Sequence, residues 1–167
     1  PPTQQEFGQR SDAKCNIFLR LQAVQLNLGG FDLAVVQSDA RQILEGLAYL
    51  HANDIAHRDI KSANVLLSDS GLMLADFGAS KRLTSASLVS GLKGTPHWMA
   101  PEVIRAQQTT SGWIQADVWS VGCTVLEMAT GKQPWSQFPN PMTAMFHIAG
   151  GKSKPHIPPS VSPTVRD

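Results

Sequence analysis

Apolar residues recur at three- and four-residue steps from Leu33 through Val36, Ala40, Ile43, Leu44 and Leu47 to Leu50. That period predicts one long amphipathic helix from Asp32, a good N-cap, to His51. Gly46 breaks the pattern at a cost of about 1 kcal/mol against alanine, and close approach of another backbone is its expected reason. Asn53-Asp54 ends the helix. Further on, Val65-Leu66-Leu67 and Leu72-Met73-Leu74-Ala75 are short apolar runs around the polar Ser68-Asp69-Ser70-Gly71, which predicts a hairpin. Folded about Ser70, it sets Asn64 opposite Asp76. A second long helix is expected from about Gln115 to Thr130. Its apolar positions, Val118, Trp119, Val121, Val125, Leu126, Met128 and Ala129, run around most of the circumference, as in a buried central helix. Gly131 and Pro134 stop it. Pro101 starts a short helix through Ile104, and Pro141 to Ala149 forms another.

Other segments carry less pattern. Cys15 to Leu19 is a short strand candidate, and residues 20–30 have no clean period. After Gly78 the chain is polar and rich in hydroxyls (Ser80, Thr84, Ser85, Ser87, Ser90) as far as Gly94-Thr95-Pro96. It is expected to be a long exposed loop without an element, and loops of that length are functional or disordered. The resulting expectation is a mainly α unit with a small β-hairpin over residues 15–150. A ragged segment, 1–14, precedes it, and an irregular Pro-rich tail, 151–167, follows.

Composition narrows the class. With 42% hydrophobic and 16% charged residues the chain can bury a core, and a formal net charge of +1 gives no reason to expect a nucleic-acid or membrane partner. Cys15 and Cys123 are far apart and lack metal-ligand spacing, so buried free thiols in a reducing compartment are expected. The polar start and the lack of a membrane-length apolar run predict a cytoplasmic protein. The first residue is not Met, as in a fragment.

The chemistry concentrates around the hairpin. Asp59 and Lys61 lie in the loop before it, and Asn64 and Asp76 stand at its open end. A carboxylate and an amide oxygen beside a second carboxylate and a lysine suit a hard cation and a phosphate.

Three motifs then stand in order. His57-Arg58-Asp59 followed by Asn64 matches H-R-D-x-x-x-x-N, Asp76-Phe77-Gly78 matches D-F-G, and Ala100-Pro101-Glu102 matches A-P-E. The chain thereby resembles the large (C-terminal) lobe of a eukaryotic protein kinase. Gly94-Thr95-Pro96-His97-Trp98-Met99 and Ala129-Thr130-Gly131-Lys132 with Pro134-Trp135 resemble the kinases that phosphorylate other kinases at the top of mitogen-activated cascades.

The resemblance implies ATP and Mg2+ as cofactors and a Ser or Thr hydroxyl of a protein, a downstream kinase, as substrate. Asp59 would be the base and Lys61 the phosphate clamp, with Asn64 and Asp76 on magnesium and Thr95 completing the serine/threonine pattern. Leu66 would lie under the adenine and Leu19 would guard its pocket. His57 and Phe77 would pack, and Asp117 would anchor the catalytic-loop backbone. Arg58 would meet a phosphorylated hydroxyl between Ala79 and Thr95, put there by an upstream activator or by the protein itself.

The chain also departs from the family pattern. No G-x-G-x-x-G or small-lobe lysine precedes the catalytic loop, Arg20 follows Leu19 where an acidic residue is expected, and Glu102 lacks a late arginine partner. The small lobe is thus largely absent from these residues. An alternative therefore stays open: a catalytically inactive truncated kinase fragment that acts as a protein-binding module through the helices around Trp98, Trp113 and Trp135.

Overall fold

The computed structural model describes residues 32–83, 93–107 and 112–159, with the backbone of Cys15 and Asn16. The first predicted helix forms as α1, Leu33–Ala52. The Asp32 carboxylate accepts the Ala34 N–H at 2.8 Å and so satisfies one of the donors a helix start leaves free. Val36, Ile43, Leu47 and Leu50 are buried, whereas Leu33 and Leu44 are exposed. The buried stripe is narrower than the apolar one. Gly46 corrects the expectation, because a Cβ there would meet only the Leu74 side chain at 3.7 Å, an ordinary contact with no backbone nearby.

Asp54, at φ 57, turns the chain into β2, Ile55–Ala56. β3 (Val65–Ser68) and β4 (Gly71–Leu74) form the predicted hairpin, and β1 (Cys15–Asn16) adds to β3 antiparallel. Its register differs by one from the expectation. Ser68 pairs with Gly71 across a two-residue turn, so Val65 faces Leu74 and the Ala75 N–H donates to Asn64 O at 2.9 Å. Asn64 thus stands opposite Ala75 rather than Asp76. The cause is local: Ser68 Oγ accepts from Ser70 N and donates to Gly71 O, drawing Ser68 into the ladder, while Gly71 takes φ 114.

The segment after Gly78 brings a second correction. Lys81–Arg82 is a strand, β5, antiparallel to β2, and Leu83 N donates to Asp54 O at 2.7 Å. Two residues are too few for a period to show. Residues 17–31, 84–92 and 160–167 lie outside the described residues, and with them Leu19, Arg20, Thr84, Ser85, Ser87 and Ser90.

Among the described residues the remaining α-helices are α2 (Pro101–Ile104), α3 (Gly112–Thr130) and α4 (Pro141–Gly150), beside short 3-10 turns at Ser62–Asn64, Phe77–Ala79 and Pro96–Trp98. α3 starts three residues earlier than expected, because Trp113 and Ala116 pack in a cluster with Ala56, Ala100 and Val103. Val118 is 52% exposed, so α3 is central without being buried all round. Val36, Ile43 and Leu47 of α1 and Val121 and Met128 of α3 enclose Ile60 and Val65 in one core cluster. This clamp fixes the loop between β2 and β3. The architecture is the expected one, mainly helical with a small hairpin, and no helix among the described residues is long and apolar enough to cross a membrane.

Candidate functional site

The loop from His57 to Asn64 is held from behind by one carboxylate. Asp117 of α3 is fully buried, and its oxygens accept the backbone N–H of His57 at 2.9 Å and of Arg58 at 2.7 Å. His51, at the end of α1, contacts the same carboxylate at 2.9 Å through Nε2. The hydrogen bonds hold Arg58 at φ 72, a conformation that costs a non-glycine residue about 1 kcal/mol or more. The expected anchoring by Asp117 is thus seen directly.

His57 packs, as expected. It is fully buried, its Nε2 lies 3.0 Å from Ala75 O, and its ring centroid is 5.1 Å from that of Phe77. Burial lowers its pKa despite the Asp117 charge, which keeps the ring neutral. One tautomer then serves both ring nitrogens: Nε2–H donates to Ala75 O, and Nδ1 accepts the Asp59 N–H at 3.4 Å.

In front of this support four side chains meet. Thr95 Oγ1 donates to Asp59 Oδ1 at 2.7 Å and accepts from Lys61 Nζ at 2.8 Å. Lys61 Nζ lies 3.1 Å from Asp59 Oδ2, and Asn64 Nδ2 donates to the same oxygen at 3.0 Å and to Asp59 O at 2.8 Å. Asp59, Lys61, Asn64 and Thr95 therefore form a closed, part-buried cluster. A carboxylate and an ammonium converge there on one hydroxyl oxygen, the arrangement a hydroxyl substrate needs for general-base assistance and charge neutralisation.

Asp76 is exposed, at φ 60, and is not hydrogen-bonded to that cluster; its Oδ1 accepts the Gly78 N–H at 3.3 Å. With its amide nitrogen turned to Asp59, Asn64 keeps its carbonyl oxygen for another partner. These hard oxygen donors suit magnesium, which binds through one or two carboxylates plus substrate phosphates and waters. No group of three or more His, Cys, Asp or Glu fit to hold a metal occurs among the described residues. Leu66 is half-buried on β3, between Asn16 and Met73 in the ladders, and Leu19 lies outside the described residues.

Glu127 was not among the expected site residues, although it and Asp117 are the two carboxylates of a mostly apolar helix, and that was the available signal. It is buried on α3 behind Ser62, and its Oε2 has no partner. Burial raises its pKa, outweighing Ser62, Trp98 and Lys61, which favour the charged form. Cys123, one turn away, is a buried free thiol whose pKa is pushed up to about 12, as expected of an inert core cysteine. Glu102 is half-buried and has no ion pair among the described residues, so it is not an enclosed, unpaired charge. Trp113 and Trp135, offered by the alternative reading as part of a docking surface, are core residues at 4% and 2% exposure.

A family model described as protein kinase domain matches residues 16–167. Among curated proteins, mitogen-activated protein kinase kinase kinase 2 of Arabidopsis thaliana is 46% identical over 168 residues, covering 95% of this chain and 25% of that protein. Mitogen-activated protein kinase kinase kinase 3 of Arabidopsis thaliana is 50% identical over 143 residues, covering 83% of this chain and 22% of that protein. The kinase of the same description from Homo sapiens is 45% identical over 144 residues, again 83% of this chain and 22% of that protein. The chain spans about a quarter of the length of these relatives.

Proposed function

The chain belongs to the protein kinase domain family, and from that premise we propose that it transfers the ATP γ-phosphate to a Ser or Thr hydroxyl of a protein. The observation that carries this reading is the Asp59–Thr95–Lys61 contact, in which a carboxylate and an ammonium share a hydroxyl oxygen at 2.7 and 2.8 Å. Asp59 accepts the hydrogen bond and then the proton of the substrate hydroxyl. Lys61 offsets charge at the transferring phosphate, and Thr95 holds both side chains in register. Asn64 fixes the Asp59 carboxylate through Nδ2. Asn64 Oδ1 and Asp76 would hold Mg2+, which supplies charge neutralisation at the phosphates. Leu66 and Leu19 are assigned to the adenine side of the nucleotide.

The names of the relatives support a downstream kinase as substrate and a signalling role; a cytoplasmic location goes with that reading as part of the proposal. Arg58 follows β2, which pairs with β5 of the hydroxyl-rich segment, and shares a cleft with Lys93 near that segment's end; this supports activation by phosphorylation of that segment, by an upstream kinase or by the protein itself. The test is incubation with γ-labelled ATP, magnesium and a protein substrate, followed by phosphoamino-acid identification. Label in phosphoserine or phosphothreonine supports the reading; label confined to phosphotyrosine, or no transfer by the full-length protein, contradicts it.

A further inference from the structure

Between α1 and the β3–β4 hairpin lies a half-enclosed cavity of about 220 Å³, walled by Ile43, Gly46, Val65, Leu72, Met73 and Leu74. Ile43 and Val65 belong to the main core cluster, and Leu72 and Leu74 pack against it, so the cavity opens off that core. Its one polar side chain is the Gln42 amide, whose Oε1 accepts the Leu72 N–H at 2.9 Å and whose Nε2 turns to Ser38 O. No charged side chain lines it. Gly46 forms part of the floor. A Cβ there would point at Leu74 across the space, 3.7 Å from its Cδ1, and a longer side chain would stand in the cavity. Glycine is unfavourable in a helix interior, and neither a close backbone nor a positive φ calls for it here. The open space beside it does.

We infer that this cavity is a binding site for a small neutral molecule built on one aromatic ring system, seated between Gly46 and Leu74. An apolar cavity of about 150 Å³ stays dry and takes up benzene, so a larger one of the same chemistry has room for such a ring. Its volume lies below the roughly 300–1,000 Å³ of pockets that take drug-sized ligands, which keeps the occupant small. Water there would meet apolar walls and one amide engaged elsewhere, and a charged group would lose its hydration without a counter-charge. The Met73 thioether favours a ring over an aliphatic chain. None of Asp59, Lys61, Asn64, Asp76, Thr95 or Leu66 lines the cavity, so the inference stands apart from the transfer reading.

The experiment titrates indole into the full chain carrying 13C-labelled Ile and Leu methyl groups, with the signals of Ile43, Leu72 and Leu74 assigned by their loss in Ile43→Val, Leu72→Met and Leu74→Met. These signals are expected to move saturably in the ring current of the bound probe. Gly46→Met places a flexible side chain in the cavity and should weaken indole about 5- to 150-fold, the range that overpacking costs. Indole-3-carboxylate, which brings a charge, should bind at least about 10-fold more weakly than indole. Saturating ATP with magnesium should leave the titration unchanged. Immobile methyl signals up to the solubility limit of indole, or equal binding by the parent and Gly46→Met, overturn the proposal. Loss of the response with ATP moves the ring to the nucleotide site and overturns the placement. Equal binding of indole and its carboxylate overturns the neutral class, and tighter binding of a phenylalanine capped at both ends overturns the free molecule in favour of a protein side chain. If Gly46→Met does not fold, Leu74→Phe fills the cavity from the facing wall and decides in its place.

Discussion

Asp117 Oδ1 accepts the backbone N–H of Arg58 at 2.7 Å, and the same buried carboxylate holds His57 N at 2.9 Å. A side chain of the central helix thereby sets the main chain two residues before Asp59. Asp117→Ala leaves both N–H groups buried without an acceptor, at about 1–3 kcal/mol each. Urea denaturation is expected to show a loss of about 3 kcal/mol or more; a loss below about 1 kcal/mol would contradict the anchoring role.

Gly46 gives a prediction of opposite sign. A Cβ at this position meets the Leu74 side chain at 3.7 Å, with no clash, in a helix interior. Gly46→Ala is expected to stabilise by about 0.5–1 kcal/mol through propensity and the narrowed unfolded ensemble, seen as a raised denaturation midpoint.

Glu127 titrates against burial. Its folded pKa is raised above 4.5, so the folded state holds the proton more tightly than the unfolded one. Stability is then fully favoured below about pH 4.5 and falls as pH rises through the folded pKa. Glu127→Gln should be more stable than the parent at neutral pH, by on the order of 1 kcal/mol, with the difference vanishing toward pH 4.5. Equal stabilities across that range, measured by thermal unfolding, would show that the carboxylate is not penalised.

Thr95 bridges Asp59 and Lys61 through one oxygen. Thr95→Val keeps the shape and removes the bridge, and is expected to lower kcat about 10- to 100-fold with little change in KM, while Thr95→Ser stays near the parent. Steady-state kinetics on both variants separate a positioning hydroxyl from simple bulk.

Much of this was legible in the sequence, and the misses have local causes. The 3.6-residue period gave α1 almost to the residue, since Asp32 and Asn53 bound it in both sequence and structure. Of the four residues grouped around the hairpin, Asp59, Lys61 and Asn64 meet, because Ile60 and Val65 are pinned in the core and fix the loop between them; Asp76 stays outside their hydrogen bonds, and Thr95, expected from the family resemblance alone, joins through Asp59 and Lys61. The hairpin register escaped by one residue, since Ser68 bonding to its own turn outweighs the apolar symmetry of the two strands. β5 escaped because Lys81–Arg82 is held by pairing with Ile55–Ala56, a long-range contact no local pattern records. Glu127 and the Arg58–Trp113 contact depend on which face of α3 meets the loop, which only packing decides.

The central claim is that Asp59 acts on a substrate hydroxyl, and phosphate transfer from ATP by the full-length protein and its Asp59→Asn variant tests it most directly. The variant is expected to fold as the parent does and to transfer about 10²–10⁴-fold more slowly. Equal labelling of substrate by the two proteins would contradict the account.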